Sequence, residues 1–104
     1  MASMLVVEET LKQIQTSDGV IGVIVANFDG IPIKSTLDNF TSVQYCGLVQ
    51  QLIDKSKIAI KKNDPSDDLM FLRLRTKKHE ILIVPEKQYV MIIVHNPTGS
   101  RPPL

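Results

Sequence analysis

The stretch that decides the fold is EILIVPEKQYVMIIV, residues 80–94. It holds two apolar segments, residues 80–85 and 89–94, on either side of a polar turn at residues 86–88. Isoleucine, leucine and valine follow one another in both segments, and each segment is short for a helix. Because strands that are apolar at every position are buried on both sides, these two segments predict a sheet that needs cover on both faces.

Three more strands are predicted before these two segments. Residues 20–26 are a β-branched run, and the turn chemistry of residues 27–30 leads into a return segment at residues 31–35. Pro32 lacks a backbone N–H, so this return strand is expected at a sheet edge. Residues 68–75 are predicted to form a further strand, which is the candidate for the opposite edge of the sheet. Their alternation places Met70, Leu72 and Leu74 on one face and Leu69, Phe71, Arg73 and Arg75 on the other.

Two helices complete the predicted order. Over residues 2–17, Val7, Leu11 and Ile14 recur at helical spacing. Thr41, with a glutamine three residues later, has the form of a capping box and opens a second helix to about Lys61. The order of helix, two strands, helix and three strands predicts one α/β domain around a five-stranded, mainly antiparallel sheet.

The predicted sheet has more surface than the predicted helices can cover. Five strands spaced about 4.8 Å apart make a sheet roughly 20 Å wide. A helix with its side chains is about 10–12 Å across, so each face needs about two helices. The chain supplies two in total, and soluble monomers rarely expose such apolar area. The sequence therefore predicts pairing of the edge strand at residues 68–75 with its own copy. Any remaining gap would suit an amphipathic helix from a different protein.

Composition excludes several classes of protein. The 104 residues fit one domain, and 12 Lys and Arg against 11 Asp and Glu leave it almost neutral. Bulk attraction to nucleic acid or to an anionic membrane is therefore not supported, and no apolar run predicts insertion into a membrane. The N-terminus does not have the pattern of a secretory signal, and the lone Cys46 fits a reducing compartment. A cytoplasmic location is expected.

The residues that could carry chemistry are scattered along the chain. Cys46 lies in the apolar phase of a helix, where packing is the favoured interpretation, and His79 and His95 have no partner at metal-ligand spacing. The loop carboxylates Asp64, Asp67 and Asp68 lack the pattern of a calcium loop. The basic residues Arg73, Arg75, Lys77 and Lys78 fit edge protection better than nucleic-acid binding. We therefore predict no enzyme, no cofactor and no metal.

A family likeness joins several of these segments. Residues 30–36, GIPIKST, followed by Asp38-Asn39, resemble a signature of the roadblock/light-chain-seven family of dynein light chains. Residues 64–81 match at several points, and residues 92–94 precede Asn96-Pro97 as in that family. The resemblance covers residues 7–98 in order and spacing, while residues 57–63 and the extension at residues 99–104 depart from the pattern.

The resemblance implies a fold, an assembly and a role. It implies one helix on each face of the sheet, in a domain at residues 1–98 with a flexible tail at residues 99–104. It implies a homodimer with the sheets joined edge to edge, or a heterodimer with a sister roadblock light chain. The role implied is a cytoplasmic, cytoskeleton-associated light chain that binds the dynein intermediate chain and links cargo to the motor on microtubules. The alternative is a scaffold or co-regulator of a small GTPase. A small GTPase or a cargo adaptor is a further possible partner.

The dimer contact is expected along the helix at residues 41–61 and the strand at residues 68–75. The residues assigned to it are Val49, Ile53, Leu69, Phe71 and Arg73.

Overall fold

A computed structural model describes residues 4–96 and, within them, the side chains of residues 8–14 and 16–96. The elements in chain order are α1 (Met4–Gln15), β1 (Val20–Ala26), β2 (Pro32–Ser35), α2 (Asn39–Asn63), β3 (Leu72–Arg75), β4 (Glu80–Pro85) and β5 (Val90–His95). The predicted flexible tail at residues 99–104 lies outside the described residues, as do both ends of the predicted domain, residues 1–3 and 97–98.

The strands form one five-stranded sheet in the order β2-β1-β5-β4-β3, and every neighbouring pair is antiparallel. The predicted architecture is confirmed. β1 and β5 lie in the interior of the sheet, and β5 is buried from Val90 to Val94. The Pro32 strand is at one edge and β3 is at the other, as the sequence predicts.

One helix packs on each face. Leu11 of α1 packs in a cluster with alternate residues of β1 and β5, including Val23 and Ile93. On the other face, Cys46, Val49 and Ile53 of α2 share a core with residues of β1, β4 and β5. The alternation of side chains along the central strands divides the core into these two layers.

The β2 edge contains an irregularity. Val25 pairs with Lys34, but Ala26 pairs with Pro32, so Ile33 is an extra residue that forms a bulge. Lys34 also forms an ion pair with Glu8 of α1, with 3.1 Å between Nζ and Oε1. This edge is therefore interrupted by a bulge and by a proline.

The strand at the other edge is shorter than predicted. Residues 68–71 lie outside β3, and Leu69 packs on the α2-side core together with Leu72 rather than on the opposite face. The reason is local, because the backbone N–H groups of Asp68 and Leu69 donate to the carboxylates of Asp67 and Asp68, at 2.8 Å each. Such side-chain acceptors compete with a strand ladder, and the two-residue alternation is lost.

The cap of α2 also differs from the prediction. The N-cap is Asp38 rather than Thr41, and its carboxylate oxygen Oδ2 accepts a hydrogen bond from the backbone N–H of Thr41 at 3.0 Å. Both residue types cap helices well, and the short connection from β2 selects the earlier one. Hydrogen bonds from Thr41 hold the pKa of Asp38 below its ordinary value of 3.8. The helix consequently begins at Asn39.

Candidate interaction surface

The residues considered for chemistry are not brought together. Cys46 is buried under α2, and burial raises the pKa of its thiol. His79 lies in the turn before β4, and His95 is the last residue of β5. Within residues 4–96, no group of three or more His, Cys, Asp or Glu side chains could hold a metal ion. In the same range, no helix is both long and apolar enough to span a bilayer. We therefore looked for function in the surfaces of the domain.

Helix α2 carries apolar residues on more than its core face. Its buried residues are Ser42, Cys46, Val49 and Ile53, which line the side against the sheet. Leu48, Leu52 and Ile58 lie away from that stripe, and we call them the outer ridge. Leu48 is 67% exposed and Ile58 is also exposed, while Leu52 is partly buried. The outer ridge gives the helix a second apolar surface that the sheet does not cover.

A second apolar group lies beside the outermost strand, β3. Met70 and Phe71 precede the strand and are exposed, Phe71 by 58%. Within the strand, Arg73 and Arg75 both reach Glu80 of β4, at 3.3 Å and 3.5 Å between nitrogen and oxygen. Glu80 therefore offsets part of the positive charge at this edge. β3 contains neither a proline nor a bulge, so its outer backbone groups can pair with another strand.

The sheet near β3 is also incompletely covered on both faces. On the α2 side, Leu72, Leu74 and Ile81 are only partly buried. On the α1 side, Leu82 and Val84 are likewise partly buried. α1 packs on β1 and β5, and α2 packs on β1, β5 and Ile83 of β4, so β3 lies at the rim of both layers. The apolar surface left uncovered at the β3 end is the shortfall of helix that the sequence predicts.

The structure separates the residues assigned to the dimer contact. Val49 and Ile53 are 6% and 4% exposed and face the sheet of their own chain. Leu69 is partly buried against the same core, whereas Phe71 and Arg73 are exposed at the β3 edge.

The two buried residues were assigned to the dimer because the sequence shows an apolar helix position without showing which side the sheet occupies. Leu48, Ile58 and Met70 are exposed apolar residues of the same two segments that the assignment did not include. The sequence does indicate Leu48 and Ile58, because both are apolar and lie outside the helical stripe of α2 that faces the core.

The comparison with protein families is decisive. A family model described as the Roadblock/LC7 domain matches residues 6–96, which is nearly the whole chain. The chain belongs to the Roadblock/LC7 domain family. The likeness of residues 30–36 to a roadblock signature therefore reflects membership over the full length of the domain.

Solved structures share the fold of this Roadblock/LC7 domain at low sequence identity. A Roadblock/LC7 domain from Streptomyces avermitilis matches with a TM-score of 0.74 and 11% identity, over 85% of this chain and 73% of that one. The gliding protein MglB from Thermus thermophilus matches with a TM-score of 0.73 and 11% identity, over 88% and 74%. MglB from Myxococcus xanthus matches with a TM-score of 0.66 and 12% identity, over 88% and 73%.

Proposed function

We propose that this Roadblock/LC7 domain is a non-catalytic scaffold, which forms a homodimer and holds a helical segment of another protein. The observation that carries the proposal is the end of the sheet at β3 and β4. β4 is apolar on both faces and β3 is apolar on its α2 side, and of the apolar side chains of these two strands only Ile83 is fully buried. Such a surface is stable in water only when it is covered.

The dimer is proposed to form through β3 and the outer ridge of α2. Two copies of β3 pair edge to edge across a two-fold axis, which joins the two sheets. The outer ridges then approach each other over the junction, so that Leu48 and Phe71 become buried. Phe71 and Arg73 remain members of the predicted contact, and Leu48 and Leu52 take the place of Val49 and Ile53. A sister roadblock light chain could occupy the second position in the same way.

The helical segment is proposed to lie on the other face, beside α1. Leu82 and Val84 are partly buried there, and Arg73, which pairs with Leu82 in the strand register, forms its ion pair with Glu80 beside them. A helix about 10–12 Å across matches the width that α1 leaves over β4 and β3. Its apolar stripe covers the leucine and valine, and its polar side remains in water.

The first candidate partner is the dynein intermediate chain. The motif resemblance at residues 30–36 and 64–81 supports it, because those segments resemble dynein light chains in particular. On this proposal the dimer holds paired intermediate chains in the cytoplasm and links cargo to the motor on microtubules.

The second candidate partner is a small GTPase, for which the domain acts as a scaffold or co-regulator. It is supported by the solved structures that share the fold, since these include gliding proteins of bacteria. The family resemblance extends to GTPase scaffolds of bacterial polarity systems. Such a role needs no catalytic residue from this chain.

The test combines oligomeric state with partner titration. Light scattering of the full chain at low concentration is expected to give the mass of a dimer, and a persistent monomer would refute the scaffold. Calorimetric titration with a disordered intermediate-chain segment is then expected to saturate, with a gain of helicity by circular dichroism. The control is Leu82→Asp, which places a charge under the proposed helix and is expected to abolish binding.

The same titration separates the two partners. A small GTPase loaded with GDP and then with a GTP analogue is the second ligand. Binding that depends on the nucleotide, with none to the intermediate-chain segment, would replace the motor role with the GTPase role. Equal or absent binding in both nucleotide states would remove the GTPase role.

A further inference from the structure

A separate exposed apolar surface lies at the β2 end of the sheet. It is formed by the β1–β2 turn, by β2 and by the first turns of α2, and we call it the hairpin patch. Its members are Phe28, Ile31, Ile33, Phe40 and Val43, all of them exposed. The patch is at the edge opposite β3, so the dimer proposed above leaves it free.

Two contacts hold the members of the hairpin patch in register. The side-chain nitrogen of Gln50 donates a hydrogen bond to the carbonyl of Phe28 at 2.8 Å. Toward the start of the helix, the hydroxyl oxygens of Ser35 and Ser42 are 2.7 Å apart. The turn and β2 are therefore tied alongside α2 between residues 42 and 50, and the exposed apolar side chains of the two segments border one surface.

The helical part of the patch continues as a straight flank. Phe40, Val43, Gly47, Gln50 and Asp54 follow one another at steps of three and four residues, so they lie on one side of α2. Gln50 shows that this side faces the hairpin. The flank is about 21 Å long, which is the length of four helical turns.

The edge strand beside the patch is unsuited to a partner strand. Pro32 has no N–H to donate, and the bulge at Ile33 breaks the regular pairing pattern. Lys34 is also held by Glu8, which blocks the α1 side of the strand. Recognition at this end therefore takes place through side chains. A helix with an apolar stripe suits such a surface better than an extended segment does.

Gly47 leaves an opening in the middle of the flank. It lies within α2 and is exposed, and a Cβ added there would meet no atom within 4 Å. No contact within the domain therefore requires glycine at this position. A glycine lets the backbone of a second helix approach closely between Val43 and Gln50.

Charge indicates which kind of helix fits. The carboxylates Asp29, Asp38 and Asp54 border the patch at exposed positions. The nearby cation Lys34 is already paired with Glu8. Among the described residues, no basic side chain forms an ion pair with Asp29 or Asp54. Along residues 28–54 the border of the patch is thus acidic, with Lys57 one turn beyond its end. The complement of this border carries basic residues on both sides of an apolar stripe.

We propose that the hairpin patch is a second docking surface, which binds a basic amphipathic helix of another protein along the flank from Phe40 to Asp54. The dimer would then present one such surface at each distal end of its joined sheet. A helix bound there leaves Leu48, Leu52 and the β3 edge untouched.

The experiment uses the full chain and a designed probe. The probe is a fluorescent leucine–lysine peptide of about 18 residues, which as a helix spans roughly 27 Å. Its control is the leucine–glutamate peptide of the same pattern. The blocking variant is Gly47→Gln, which places a bulky neutral side chain in the opening and whose Cβ meets no atom of the domain. The charge variant is Asp29→Asn/Asp54→Asn, and the matched control is Ile21→Ser, which changes an exposed apolar residue of β1 outside both the patch and the proposed dimer contact.

The proposal expects the lysine peptide to bind the natural chain and Ile21→Ser equally. It expects Gly47→Gln and the charge variant each to weaken binding by about tenfold or more, and added salt to weaken it further. Retained affinity in Gly47→Gln, equal binding of the glutamate peptide, or no binding at all would overturn the proposal. So would self-association of the natural chain beyond a dimer that Gly47→Gln abolishes, because the occupant would then be a second copy.

Discussion

The two edges of the sheet differ in whether their unpaired backbone groups are available to another strand. At the β2 edge, Pro32 removes a donor, Ile33 forms a bulge and Lys34 is paired with an acidic residue of α1. At the β3 edge, four residues from Leu72 to Arg75 run without proline or bulge. Both edges border exposed apolar side chains. Only one of them is open to strand pairing.

This difference explains how a small domain can offer separate surfaces without aggregating through both. An open strand edge extends a sheet, and two open edges on one chain would allow extension without limit. Blocking β2 while leaving β3 free would stop assembly at a closed pair. The β2 end then keeps its apolar side chains for contacts that do not involve backbone pairing.

The largest expected effect is on dimer formation through the β3 edge. Phe71 and Ile31 are matched in exposure, at 58% and 57%, and lie near opposite edges. Phe71→Ala is expected to weaken the dimer by about 2 kcal/mol or more, roughly thirtyfold in Kd, because the ring is buried in the contact. Sedimentation equilibrium over a range of concentrations measures the change.

Ile31→Ala is the matched control and is expected to leave the dimer Kd unchanged. A dimer that is weakened by Ile31→Ala and not by Phe71→Ala would show that association uses the β2 end instead.

The next effect concerns packing within the β2 end. A Cβ added at Gly22 of β1 would lie 2.6 Å from Cγ and Cδ2 of Leu37. Leu37 lies in the connection between β2 and α2. Gly22→Ala is therefore expected to lower the free energy of unfolding by about 1–3 kcal/mol through overpacking. Urea unfolding at one fixed protein concentration measures it, so that dimerisation contributes equally to each variant.

Gly47→Ala is the comparison variant and is expected to change stability in the opposite direction. Its Cβ meets no atom of the domain, so alanine's better helix propensity stabilises the chain by up to about 1 kcal/mol. A loss of stability at position 47, or no loss at position 22, would contradict the packing described for this end.

The smallest effect is on pH dependence and compares the two ends of α2. Hydrogen bonds from Thr41 lower the pKa of Asp38, and hydrogen bonds from Ser66 lower that of Asp64, both from 3.8. A lowered folded pKa means that the charged form stabilises the fold above the unfolded pKa. This stabilisation is lost as pH falls through the lower folded value.

Urea unfolding between about pH 5 and pH 3 measures the acid dependence. Asp38→Asn and Asp64→Asn are each expected to flatten it slightly, because asparagine accepts similar hydrogen bonds but does not titrate. An unchanged slope in both variants would show that these carboxylates do not contribute to acid sensitivity.

Much of the fold could be predicted from local patterns. The apolar runs at residues 80–94, the turn at residues 27–30 and Pro32 were enough to place the strands and one edge. The predicted start of β3 was wrong because side chains there accept hydrogen bonds from the nearby backbone, as the carboxylates of Asp67 and Asp68 do. The predicted start of α2 was wrong because two good capping residues, Asp38 and Thr41, are three positions apart in the sequence.

The dimer surface was harder to predict than the fold. Val49 and Leu48 are neighbours and both apolar, yet one faces the core and the other faces solvent. Periodicity shows that α2 has several apolar positions, but the side that meets the sheet depends on the crossing of helix and strands. Exposure in the folded chain was needed to separate the two residues.

The sequence by itself determined the number, order and type of elements, the position of Pro32 at an edge and the shortage of helix over the sheet. These follow from backbone donors, side-chain periodicity and length, which are local quantities. Only the tertiary structure decided which apolar residues of α2 are spare and that the turn lies against Gln50. It also placed an acidic border around the hairpin patch. Those facts depend on distances between segments far apart in the chain, which no local pattern records.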